Sequence, residues 1–164
     1  MDASTFLQKH VTGFAELSDE ERSEIASFTL LWSAMEGRVV GCEANPTSLL
    51  GAVSQMAGAG LLDSEQFAAS LRYFSARYFV SNEFTDHFGQ LLFRANDRRA
   101  LVEGVLSGTD VDVEHVVGAL LIITWRLRNN LFHGAKWIYG IRDQLGNFTH
   151  ANDVLMAILE RHQG

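Results

Sequence analysis

One apolar stripe restricts the fold more than anything else in this chain. Val113, Val116, Val117, Leu120, Thr124, Leu127 and Leu131 recur at three- and four-residue spacing, the period of one face of an α-helix. Asp110 stands where the helix should open, and His133-Gly134 is a common C-terminal stop. A helix this long must be covered, and the remaining sequence supplies helices to cover it. Ser18 and Glu21 form a capping-box pattern, with Asp19, Glu20 and Glu21 in the first turn, and Ile25, Phe28, Leu31, Trp32 and Met35 then face inward until about Glu36-Gly37. A shorter helix is expected over 47–59, after Pro46, and Asp63 caps another that carries Phe67, Leu71, Phe74, Tyr78 and Phe79 on its apolar side. Residues 85–94 and 97–106 are also expected to be helical, as is a last segment over 151–161. No stretch alternates apolar and polar residues between turn dipeptides, and no fixed-period repeat occurs. The expectation is an all-α helical bundle.

With 164 residues, 47% of them apolar, the chain is long enough for one real core. Pro46 is the only proline and the glycines are scattered, so a single domain over 1–164 is expected. The lone Cys42 allows no internal disulfide, and Met1 to His10 lacks a basic stretch followed by an apolar run, which points to the cytoplasm. The apolar run from Val116 to Ile123 is too short to span a bilayer, so no membrane partner is expected. A net charge of −7 argues against coating nucleic acid by bulk electrostatics. Yet from His115 to Arg142 there is no Asp or Glu, while Arg126, Arg128, Lys136 and Arg142 supply +4. Such an island is either a buried helix whose arginines reach solvent along their stems or a surface built for an anion.

Most chemical motifs are absent. There is no P-loop, no dinucleotide-binding glycine fingerprint, no cysteine pair for zinc and no His-Glu-x-x-His. Glu83 and His87 lie four apart, a spacing that reads more plainly as a surface contact than as a metal site. No metal and no cofactor are expected. Cys42, between Gly41 and Glu43, has no cationic neighbour to activate it. What remains is the end of the long helix, where Arg128, Asn129 and His133 fall within a turn and a half, beside Lys136. These are the parts for cleaving a phosphodiester without metal. RNA carries its own 2′-hydroxyl nucleophile, histidine can move protons near neutral pH, and arginine can hold the phosphorane oxygens. An amide such as Asn129 can orient either one.

Arg128-Asn129-Asn130-Leu131-Phe132-His133-Gly134 resembles the signature of the HEPN domain (higher eukaryotes and prokaryotes nucleotide-binding), small helical proteins marked by an Arg, a polar residue after it, and a His four to six residues on. The segment 28–36 looks like the first helix of many such domains. The resemblance implies a metal-independent endoribonuclease, a homodimer with the motifs of two protomers meeting in one cleft, and a role as a toxin or defence effector, with an antitoxin protein as a further partner. It assigns catalysis to Arg128 and His133, with Asn129 beside them, and leaves Arg126 and Lys136 as RNA contacts. Some family toxins carry a tyrosine two residues after the His that a partner modifies; Ala135 stands there, and the nearest tyrosine is Tyr139. On a regular helix Arg128 and His133 project about 140° apart, whereas Arg126 lies within about 20° of His133. Arg126 therefore competes for the catalytic role, unless the chain unwinds at Gly134 or a dimer completes the site. The competing class is a non-catalytic HEPN module for protein interaction or nucleotide binding. In that case Arg128 and His133 are ordinary helix-end residues. Glu36 is either an acid brought near the site from the first helix or an exposed helix-end glutamate, and Trp125, Phe132 and Trp137 either stack on bases or pack in the core or a dimer interface.

Overall fold

The computed structural model describes residues 1–134, 140, 141 and 143–162. In chain order they form α1 (Ala3–His10), a 3-10 turn (Phe14–Glu16), α2 (Asp19–Val39), α3 (Pro46–Gly58), α4 (Ser64–Tyr78), β1 (Phe79–Val80), β2 (Glu83–Phe84), α5 (Asp86–Gly89), α6 (Arg99–Leu106), α7 (Val113–Phe132) and α8 (Leu145–Arg161). The fold is all-α apart from one two-residue hairpin, in which Phe79 faces Phe84 and Val80 faces Glu83. Among the described residues no helix is long and apolar enough to cross a membrane.

The long helix is the axis of the bundle. Every residue from Val116 to Thr124 is buried, and α3, α4, α6 and α8 all pack on α7. The stripe seen in the sequence is thus one side of a helix enclosed all round, as expected of a helix with no polar face. Gly118 allows the close approach of α3, since a Cβ there would stand 2.7 Å from Leu50 Cδ2. On the other side α2 and α4 pack against α8, with Phe28 edge-to-face on Phe148 at 5.1 Å. The buried apolar side chains form one continuous cluster, and each fully buried Phe or Leu contributes roughly 1.5–3 kcal/mol of transfer free energy.

The caps explain most of the helix starts. Ser18 Oγ accepts from Glu21 N at 3.1 Å and Glu21 returns the bond to Ser18 N at 2.8 Å; Asn45 and Ser48 do the same for α3. Asp63 caps α4 through Glu65 N. Asp112 caps α7 by accepting from Glu114 N and His115 N, so the helix opens after Asp112 and not at Asp110. Instead of capping, Asp110 takes Asp112 N and the His115 ring.

Four further expectations need correction. Phe79, expected on the apolar side of α4, lies beyond its last residue Tyr78 and opens β1. Residues 85–94 hold only the single turn of α5, because the carbonyls of Gln90, Leu91 and Leu92 are taken by side chains of α7 and Leu92 adopts φ +55°. The helix expected over 97–106 starts at Arg99, after a left-handed Arg98 (φ +60°). The last helix begins at Leu145, six residues before position 151, since its first turns bury polar residues that hide the period. Asn147 accepts from Tyr73 Oη at 3.2 Å, and Asn152 donates to Glu24 O and Oε2 at 3.1 and 2.7 Å.

Candidate functional site

The last two turns of α7 divide their polar residues between two faces. Arg126 and Asn130, four residues apart, share one face and turn inward against the loop after α5. Arg126 is 3% exposed. Its Nε donates to Leu91 O at 3.0 Å and Nη2 to Leu92 O at 2.8 Å, while Nη1 lies 3.1 Å from the buried carboxylate of Asp97. Burial draws the Arg126 pKa below its ordinary value, and Asp97 opposes that. Asn130 adds bonds to Gln90 O and Leu91 O at 3.0 and 3.2 Å. The RNA contact expected of Arg126 does not fit this geometry. Its guanidinium is enclosed and its three nitrogens are engaged, so a phosphate could reach it only by displacing the loop. The same enclosure sets it apart from Arg128, its competitor for the catalytic role, which is half-buried.

Arg128 lies on another face, half-buried toward α2. Its Nη1 donates to Asn129 Oδ1 at 3.1 Å, and the guanidinium carbon sits 4.9 Å from the Phe132 ring centroid and 5.9 Å from that of Trp32. Arg128 Nε is buried without a bond. Among the described residues no carboxylate pairs with this arginine, which leaves a cation held by an amide and two aromatic faces with its charge uncompensated. Glu36 serves this arrangement indirectly. It accepts from Trp32 Nε1 at 2.9 Å and from Ala44 N at 3.3 Å, so it fixes the ring beneath Arg128 and is not a free acid.

His133 is exposed at the C-cap of α7, its N–H still bonded to Asn129 O at 2.9 Å, with φ −88° and ψ 8°. The chain turns only at Gly134 (φ +76°). The helix does not unwind before His133, so within one chain the Arg128 and His133 directions stay about 140° apart. Phe132 is 54% exposed next to them. Lys136, Trp137 and Tyr139 lie outside the described residues.

Asp97, Asn130 and Trp32 organise this end of the molecule; Asp97 was not singled out from the sequence, Asn130 was read only as part of the motif and Trp32 only as a core residue of α2. The spacing of Arg126 and Asn130 on a helix that is otherwise apolar was the available signal. Among the described residues no group of three His, Cys, Asp or Glu side chains is arranged to hold a metal ion. Comparison with protein-family models, curated proteins and solved structures returned no match.

Proposed function

We propose that the chain is a metal-independent endoribonuclease of the HEPN type, acting as a homodimer. The observation that carries the reading is Arg128, a guanidinium with no carboxylate partner among the described residues, held by Asn129, Trp32 and Phe132 about a turn and a half before an exposed His133. In the reaction the 2′-hydroxyl oxygen attacks the adjacent phosphorus and the bond to the 5′-oxygen breaks. The products are a 2′,3′-cyclic phosphate and a free 5′-hydroxyl. The 2′-hydroxyl gives up its proton and the departing 5′-oxygen takes one; His133 carries out one of these transfers and water the other, and Arg128 stabilises the charge on the non-bridging oxygens. Because the two side chains diverge within one chain, each site pairs the Arg128 of one protomer with the His133 of the other.

The same divergence favours the second reading, a non-catalytic helical module, if the chain does not dimerise. Incubating the protein with total RNA in excess EDTA separates the two. Cleavage to cyclic-phosphate ends that His133→Ala and Arg128→Ala each reduce by about 100-fold or more is expected. Intact RNA across a range of salt and pH would sink the enzyme reading.

A further inference from the structure

The loop clamped by Arg126 and Asn130 carries three exposed arginines, Arg94, Arg98 and Arg99, within six residues. Between Asp86 and Glu103 the only acid in the sequence is Asp97, and its charge is spent inside, against Arg126 at 3.1 Å and Arg94 N at 2.7 Å. The loop therefore shows solvent its positive charges and hides its negative one, on a chain whose net charge is −7. Arg99 donates through Nε to Glu103 at 2.7 Å and lies 5.2 Å from the Phe88 ring centroid. Its terminal nitrogens have no protein partner among the described residues, and no ion pair there engages Arg94 or Arg98. Arg98 and Arg99 border a polar recess of about 490 Å³, completed by Thr47, Ala95, Asn96 and Ala100.

The position of this loop gives the charge a purpose. Arg126 and Asn130 face it, and His133 continues their stripe, within about 20° of Arg126 on the helix. The exposed histidine stands about one turn beyond Asn130 on that side of α7, whereas Arg98 borders a recess with Glu114 and His115 at the other end of the helix. We infer that Arg94, Arg98 and Arg99 form an RNA-backbone-binding surface of this protein, holding a single strand alongside α7, whose far end carries His133. Guanidinium groups suit phosphate oxygens, and phosphate contacts of this kind position a strand without reading its bases. The clamp from α7, Arg126 on Asp97 and on the Leu91 and Leu92 carbonyls, fixes the segment that carries the three charges. The inference rests on the ribonuclease reading for its substrate, and it replaces Arg126 as the RNA contact.

The test uses the intact chain and a fluorescent single-stranded 2′-O-methyl RNA, which lacks the nucleophile and so cannot be cut, with anisotropy read over a salt series. The unaltered chain should bind. Arg94→Gln/Arg98→Gln/Arg99→Gln should weaken binding about tenfold or more at low salt, and its plot of log affinity against log salt should be shallower by about 2. The three Lys replacements should restore most of the affinity, and Arg38→Gln/Arg72→Gln, remote surface changes, should leave it unaltered. If the triple Gln variant does not fold by circular dichroism, single Arg94→Gln and Arg98→Gln variants should each flatten the slope by about 0.7. No binding by the unaltered chain, or equal binding and slope in the Gln variants, overturns the proposal. Binding that needs these arginines in a protein that cuts no natural RNA sustains the surface and overturns the catalytic reading; cleavage with unchanged binding in the variants does the reverse.

Discussion

Burial of the His150 ring makes its neutral form the one that suits the fold. The ring stacks on Tyr73 at 4.3 Å and meets Phe74 edge-on at 6.3 Å, with Ser70 Oγ at 3.5 Å and an Asp153 oxygen at 3.8 Å from Nδ1. Desolvation lowers its pKa and Asp153 only partly offsets this. The unfolded chain therefore takes up a proton more readily than the folded one, and stability present above about pH 6.5 is lost as pH falls through that value toward the folded pKa. Burial raises the Asp153 pKa, an effect of opposite slope that sets in as pH falls through its raised folded value toward the ordinary carboxylate range. Thermal midpoints between pH 7.5 and pH 5.5 should fall more steeply for the native chain than for His150→Gln. Parallel curves would contradict the assignment. Single residues also show where sequence reading stops. His133 was legible because a histidine before glycine ends a helix in a recognisable way, and its exposure agrees with that. Whether Arg126 or Arg128 faces inward depends on which neighbour offers carbonyls and a carboxylate, and those come from Asp97 and the 90–92 backbone, far away in sequence.

At the scale of elements, the pairing of α7 with the loop after α5 is the contact on which the proposed site depends. A buried ion pair adds little net stability over a well-packed apolar pair, but removing one partner strands a charge in the interior. Asp97→Ala and Arg126→Leu should each destabilise the fold by about 3–5 kcal/mol in urea unfolding, with the double change costing clearly less than the sum of the two. Additive losses would show that the two side chains act independently. This contact also explains an error of sequence reading. Residues 85–94 have a helical pattern, yet Arg126 and Asn130 take the carbonyls that a continuing helix would have used. The hairpin before it rests on Ser81 and Asn82, both at positive φ, a turn chemistry that a two-residue strand is too short to advertise. By contrast α2, α3, α4 and α7 were readable because each combines a cap with an uninterrupted apolar period.

For the whole molecule, the acid-free stretch from His115 to Arg142 has two causes. Most of it is the buried axis of the bundle, where an acid would be costly; its end is where Arg128 and His133 emerge. Arg128 turns toward α2 and His133 projects about 140° away from it, an arrangement that fits a site completed by a second copy related by two-fold symmetry, in which each protomer lends what the other lacks. That shared site is the central claim, and mixing inactive protomers tests it most directly. His133→Ala and Arg128→Ala proteins, each inactive alone, are combined at equal concentration, allowed to exchange subunits, and assayed for RNA cleavage in EDTA. Half of the dimers should then be mixed, each with one intact site of two, so activity should return to about a quarter of the native level. A mixture that exchanges subunits and stays inactive, while the native protein cuts RNA, would contradict the shared site.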